Sequence, residues 1–328
     1  MPLVDKNELL KTLRSLTAFD NGSPYIAIYV DEPLTFYRSS PFGFIQSKKL
    51  SLSVRGTCVS LLQLQERLRV LPEEQVDVDL DPNGVLKISS INNTWNNELR
   101  VHTVKHEQAG LKTHTIGDVK MKLDPSLFSG FNAKPFPVVA FPSLTNGIIL
   151  LPTVYGIIIW QGPEELKKIQ LQPRDTFLKF LSPSVEEIYL TEKGYWGAST
   201  DSLLTFVGTH NVSDILFKLY NVAGTKLVSY PADRLCYALN AAASIVSGNI
   251  ELTGQEVRVK DNHGLTSKFG VGGAGDTKFT IYTKTAKLIV DALEQTKEDE
   301  ITLYSVNVGN HPTMRLERGN WAVSFKTF

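Results

Sequence analysis

A repeated form, rather than any short motif, most constrains what this chain can fold into. An amphipathic helical stretch leads through a short acidic or polar turn into an alternating strand, then a second turn and a second alternating strand. Cys58 to Leu71 (CVSLLQLQERLRVL) runs through Pro72-Glu-Glu into Val76-Asp-Val-Asp-Leu, turns at Asp81-Pro-Asn-Gly84 and returns as Val85-Leu-Lys-Ile. Arg174 to Leu181 leads to Ile188-Tyr-Leu, a turn at Glu192-Lys-Gly194 and Tyr195-Trp-Gly-Ala. Ala232 to Val246 leads to Asn249-Ile-Glu-Leu, a turn at Thr253-Gly-Gln255 and Glu256-Val-Arg-Val-Lys. Thr283 to Gln295 leads to Ile301-Thr-Leu-Tyr-Ser-Val and later Asn320-Trp-Ala-Val-Ser-Phe. Val4 to Leu16, with the strands around Tyr25–Val30 and Leu34–Arg38, reads as a fifth copy. A sixth, near Asp124 to Phe131, is degenerate: Pro125 suits a helix start, but Ser129-Gly130 ends the helix early.

Helical spacing of apolar residues followed by period-two alternation lets each copy bury one helix against one sheet. A unit of about fifty residues is too small to stand alone, so the copies should pair. Six units in three pairs follow, with boundaries near residues 113 and 222. The expected class is α+β, in three similar domains of two helix-plus-antiparallel-sheet repeats, spanning 1–113, 114–222 and 223–328.

Composition narrows the function classes. The chain has 328 residues, 42% apolar and 21% charged, which is ordinary for a globular protein. Its 34 Lys and Arg balance 34 Asp and Glu, so a nucleic-acid partner would have to meet a locally basic surface. The start lacks a basic region followed by an apolar one, so no secretory signal is expected. The most apolar run, GIILLPTVYGIIIW (147–160), is too short to span a bilayer and reads as two buried strands joined by a bend. Cys58 and Cys236 sit in apolar stretches read as helical, which suits reduced core thiols in a cytoplasmic protein without membrane partners.

Catalytic chemistry finds thin support. FGVGGAGDTKF (269–279) satisfies GxGxxG through Gly270, Gly272 and Gly275, yet such a loop holds phosphate only where a helix opens at its end. Lys278-Phe-Thr-Ile-Tyr-Thr alternates and is β-branched, so a strand is expected there and the glycines read as a loose connection between units. His102 and His106 have HxxxH spacing, but the segment reads as a strand and no third ligand lies near. Glu186-Glu187 and Glu298-Asp299-Glu300 read as solvated turn carboxylates after helices. No catalytic residue, metal or cofactor is expected.

Basic residues carry more information by position. Lys11, Arg14, Arg67, Arg69, Arg174, Lys179, Arg234, Lys284 and Lys287 all fall on the expected helices. Helices lining one surface would gather these charges there. Without interleaved aromatics, contacts would go to phosphates rather than to stacked bases.

The chain resembles the DNA polymerase sliding clamps, the processivity factors, and specifically the three-domain bacterial β type. The resemblance is carried by ADRLCYALNAAASIV…GNIELTGQEVRVKDN, FTIYTKTAKLIVDALEQTKEDEITLYSV and the final NWAVSFKTF, and less closely by LLQLQERLRVLPEEQVDVDLDPNGVLKIS. It implies a head-to-tail ring, two chains closing as a homodimer around double-stranded DNA, without enzymatic activity. A DNA polymerase and a clamp loader are the implied partners. A peptide-binding pocket is also implied, at Thr153, Gly156, Ile157, Leu227, Pro231, Val323, Phe325 and Phe328. The family's Thr-Asp-Gly-His-Arg-Leu becomes Thr153-Val-Tyr-Gly-Ile-Ile, and its Met-Pro-Met-Arg-Leu ending becomes Ser324-Phe-Lys-Thr-Phe. These departures suit a divergent, phage-encoded clamp matched to its own polymerase. The competing readings are a structural or assembly protein, such as a virion component, and a nucleotide-dependent enzyme built on the glycine stretch.

Overall fold

The computed structural model describes residues 3–17, 22–29, 35–41, 43–47, 57–91, 96–133, 135–138, 142–171, 181, 185–200, 203–208, 223–308 and 311–327. The chain divides into two compact units, residues 1–125 with 173–180 and 184–209, and residues 126–172 with 181–183 and 210–328.

In the first unit, β1 (Leu3–Asp5) leads directly into α1 (Lys6–Thr17), followed by β2 (Tyr25–Tyr29), β3 (Thr35–Ser40) and β4 (Gly43–Ser47). Next come β5 (Thr57–Ser60), α2 (Leu61–Val70), β6 (Gln75–Leu80), β7 (Leu86–Ile91), β8 (Asn96–Val101), β9 (Thr103–Val104), the short α3 (His106–Ala109) and β10 (Val119–Leu123). Three later strands, β14 (Glu187–Thr191), β15 (Tyr195–Ser199) and β16 (Leu203–Gly208), belong to the same unit. They form a four-stranded sheet, β1-β6-β7-β8, and a nine-stranded sheet, β10-β14-β15-β16-β4-β3-β2-β5-β9, both antiparallel.

The two long helices of this unit are set by local chemistry. Asp5 starts α1, its side chain accepting from the Asn7 and Glu8 N–H groups at 2.8 and 2.9 Å. Ser60 starts α2 in the same way, accepting from Gln63 N–H at 3.4 Å. α1 buries Leu9, Leu10, Leu13 and Leu16, and α2 buries Leu61, Leu64 and Leu68, so one stripe of each helix faces the core. The helices pack side by side.

The second unit opens with a single 3₁₀ turn at Pro125–Phe128, the degenerate sixth copy. Phe128 and Phe131 still anchor it, at 6.4 and 5.2 Å from the Trp160 ring, and Phe131 stacks on Trp321 at 6.0 Å. β11 (Ser143–Thr145), β12 (Ile148–Thr153) and β13 (Gly156–Gln161) precede β17 (Thr225–Pro231), α4 (Ala232–Ile245), β18 (Asn249–Thr253), β19 (Glu256–Lys260) and β20 (Thr266–Gly270). β21 (Lys278–Tyr282), α5 (Thr283–Leu293), β22 (Glu300–Val308), β23 (His311–Arg318) and β24 (Trp321–Lys326) complete it. The sheets run β11-β12-β13-β24-β23-β22-β17 and β20-β19-β18-β21. Alternation places Ile250, Leu252, Val257, Val259, Phe279 and Ile281 in the core under α4 and α5, which pack together.

Several expectations are met. The 147–160 run is the hairpin β12–β13, and a strand, β21, follows the glycines. Others are corrected. Cys58 lies in β5, not in a helix: four extended residues run straight into α2, and their apolar pattern merges with the helical one. His106 opens α3 instead of sharing a strand face with His102. Glu187 begins β14 and pairs with Lys122 at 2.7 Å. The glycine connector is not loose. Gln255 O accepts from Val271 N–H at 2.8 Å, and a Cβ on Gly254 would run into the Gly275 carbonyl oxygen, so glycine is needed for close approach. The segment 172–180, which includes most of the helix expected from Arg174, and residues 209–222 lie outside the described residues.

Candidate nucleic-acid interface and apolar cleft

Because one stripe of each helix is buried, the opposite stripe is presented to solvent. Lys11 and Arg14 on α1, Arg67 and Arg69 on α2, Arg234 on α4, and Lys284 and Lys287 on α5 are all exposed. The four long helices together carry eight basic against four acidic side chains, in a chain whose charges cancel overall. Arg174 and Lys179 lie outside the described residues.

Strand-borne cations are arranged differently. Lys87 and Arg100 pair with Glu98, Lys278 with Glu251 at 2.9 Å, Arg258 with Glu251 and Glu256, and Arg315 with Glu317 at 2.6 Å. Among the described residues, none of the seven helix-borne cations named above has a carboxylate within ion-pair distance. The pairing on the strands is partial, since the exposed Lys120, Lys260, Lys268 and Lys326 have no carboxylate within ion-pair distance among the described residues, whereas all seven helix cations are without one. Asp291, one turn beyond Lys287, has its carboxyl pushed up by burial, with Lys287 opposing that shift.

Arg67 also borders an open depression of about 320 Å³, with Gln63, Glu66 and Val70 of α2, Arg100 and Val101 of β8, and His102. The sequence contained no sign of it, because it depends on α2 lying against β8.

Five of the residues assigned to the peptide pocket meet on adjacent strands. Thr153 ends β12 and Gly156 begins β13, and Ile157 is paired with Ser324 of β24. Val323 and Phe325 also belong to β24 but are 0% and 2% exposed, and Phe325 packs on Phe279 at 6.1 Å. They form the floor of this region rather than its surface. Leu227 sits at an irregularity in β17, between Lys226 and Val228, and Pro231 ends that strand. β17 is one of the two edge strands of its sheet, separated from β24 by β23 and β22. Phe328 lies outside the described residues.

Tyr155, between Thr153 and Gly156, was not anticipated as a site residue. Its ring lies 5.4 Å under the Lys284 ammonium, and its carbonyl accepts from the Thr285 hydroxyl at 3.4 Å. The two residues are far apart in sequence, so only the packing of β12–β13 on α5 joins them.

Among the described residues, no group of three His, Cys, Asp or Glu side chains could hold a metal. Burial pushes both the Cys58 and Cys236 thiols up to about 11, so neither is a thiolate near neutral pH. No described helix is long and apolar enough to cross a membrane.

No family model matches the chain, and no curated protein does. Solved structures do. The chain is similar to a DNA polymerase III β chain from Streptococcus pneumoniae (TM-score 0.69, 10% identity, 99% of this chain and 98% of that one). It is also similar to the Helicobacter pylori β clamp bound to a DNA ligase peptide (0.67, 12%, 99% of each chain). A third is the DNA polymerase III β subunit from Thermotoga maritima (0.66, 14%, 99% and 98%). With likeness over the whole length, helices paired over antiparallel sheets and the repeat read from the residues, the chain has the fold of the bacterial DNA polymerase sliding clamps.

Proposed function

We propose that this protein is a non-enzymatic sliding clamp that encircles duplex DNA without sequence preference and tethers a polymerase to it. The observation that carries the reading is the basic excess of the helices: eight basic against four acidic side chains, with seven exposed cations that have no carboxylate within ion-pair distance among the described residues. Unpaired Lys and Arg on helices suit phosphate contacts, which position a protein on DNA without reading its sequence. Many weak contacts of this kind permit sliding, which tight binding would stall.

The chain is read as three domains, 1–113, 114–222 and 223–328, closing head-to-tail with a second copy. Two strands support this closure: β8 ends one four-stranded sheet and β20 ends the other. An unpaired strand edge is a template for another strand, and two different edges on one chain allow a heterologous contact that closes if its rotation does. A polymerase and a clamp loader are proposed to dock at the apolar region around Thr153, Gly156, Ile157, Leu227 and Pro231, in the cytoplasm of a bacterium or of an infected host cell. The whole-length likeness to clamps favours this over an assembly protein.

The test is duplex binding against salt. Lys284→Glu with Lys287→Glu should weaken association and lower the dependence of log affinity on log salt. An unchanged affinity and slope would remove α5 from the interface.

A further inference from the structure

We propose that Tyr155 governs how readily Lys284 reaches a DNA phosphate. This rests on the reading that α5 faces DNA. The turn that carries Tyr155 is braced on each side. Thr153 Oγ1 donates to Gly156 O at 2.7 Å and accepts from Tyr155 N–H at 3.2 Å. Gly156 is so close to Ser324 O and Leu288 that a Cβ there would meet the carbonyl oxygen at 2.7 Å. The buried Thr285 hydroxyl holds Tyr155 O. The backbone that carries the aromatic ring is therefore held in place.

Lys284 is the mobile member of the pair. It is exposed, it heads a flexible four-carbon stem, and it has no carboxylate in reach among the described residues. The face of the Tyr155 ring attracts the ammonium, and a phosphate must compete with that attraction. Lys287, one turn on, has no such aromatic partner among the described residues. The two lysines of α5 are thus unequal: Lys287 is free to contact a phosphate and Lys284 is held back.

The experiment compares equilibrium binding of a labelled duplex at low salt by the full chain and by Tyr155→Leu, Tyr155→Phe, Lys284→Ala and the Tyr155→Leu, Lys284→Ala double variant. Tyr155→Leu should bind about two- to fivefold more tightly, the factor corresponding to an exposed cation–π contact. Tyr155→Phe, which keeps the ring, should match the original chain, and Tyr155→Leu should have no effect once Lys284 is Ala. Unchanged or weaker binding by Tyr155→Leu, or a gain that persists without Lys284, overturns the proposal. A second readout needs no DNA: the side-chain methylene resonances of Lys284 should carry a ring-current shift that Tyr155→Leu removes and Tyr155→Phe preserves. Absence of that shift overturns the proposal by itself. Failure of the unaltered chain to bind any duplex, with the shift present, overturns the clamp reading instead.

Discussion

Arg318 donates from Nη1 to Leu293 O at 2.9 Å, closing the C-terminal end of α5 from the end of β23. Its Nε donates to Glu298 O at 2.5 Å. Arg38 does the same for α1: its Nη1 donates to Leu16 O at 2.5 Å from β3. In each case the second strand after a helix returns a guanidinium to carbonyls that the helix itself cannot satisfy. The match ties the first copy of the repeat to the last more closely than their sequences do.

Arg318→Met keeps an unbranched stem but leaves these buried carbonyls without donors. It should cost about 2–3 kcal/mol, the range for losing hydrogen bonds from a charged group. A lowered urea midpoint with unchanged slope checks this, and an unchanged midpoint would show that the cap carries no stability.

His114 makes stability pH-dependent. Burial holds its imidazole below the ordinary 6.5, with Lys112 adding to that shift and the bond to Ser40 O opposing it. Nε2 donates to Ser40 O at 2.9 Å, and the imidazole stacks on Phe44 at 5.7 Å. Since the folded state resists protonation, the neutral form's contribution is complete above about 6.5 and is lost as pH falls from there toward the lower folded value. Chemical denaturation between pH 8 and 5 should therefore show a stability gap between the protein and His114→Gln that narrows on acidification. A constant gap would contradict this.

Both cysteines are buried and their thiols are pushed up to about 11. Alkylation at pH 8 should be slow in the folded protein and rapid for both residues in denaturant. Fast labelling of either thiol in the folded state would contradict their placement.

Phe325 is a core residue, so Phe325→Ala should cost about 3–5 kcal/mol. Loss of polymerase stimulation in that variant would reflect unfolding. Leu227→Glu, at a half-buried strand irregularity, should leave the urea midpoint nearly unchanged and abolish stimulation. Full stimulation would exclude Leu227 from the partner surface.

Large apolar side chains flank β8 and β20, one edge of each four-stranded sheet. Val70 lies beside β8, while Tyr237 and Leu265, each 70% exposed, lie beside β20, with the Tyr237 ring 6.5 Å from Phe269. Tyr237→Glu with Leu265→Glu should yield folded monomers by sedimentation. Persistence of the assembly would place the closing contact elsewhere.

How much of this could be read from the residues follows from the range of each interaction. Alternation in Asn249-Ile-Glu-Leu and the Asp81 and Asp261 turns are local signals, since each Asp bonds N–H groups only two and four residues on. The helix begins at Leu61, three residues later than the apolar pattern from Cys58 indicates, because Thr57–Ser60 is extended only through pairing with β2 and β9. The basic helix residues are legible as amphipathic periodicity, but the pairing of Lys87 and Lys278 is not, because Glu98 reaches Lys87, and Glu251 reaches Lys278, across sheet registers. The contact between Tyr155 and Lys284 and the tight seat of the glycine connector depend on packing between segments distant in the chain, which no local pattern encodes.

The central claim is that helices carrying unpaired cations enclose a channel. Single-particle images of the protein in solution test it most directly: the account predicts a closed ring with a central hole wide enough for duplex DNA and helices lining that hole. A solid or open particle, or a ring with its sheets facing inward, would contradict it.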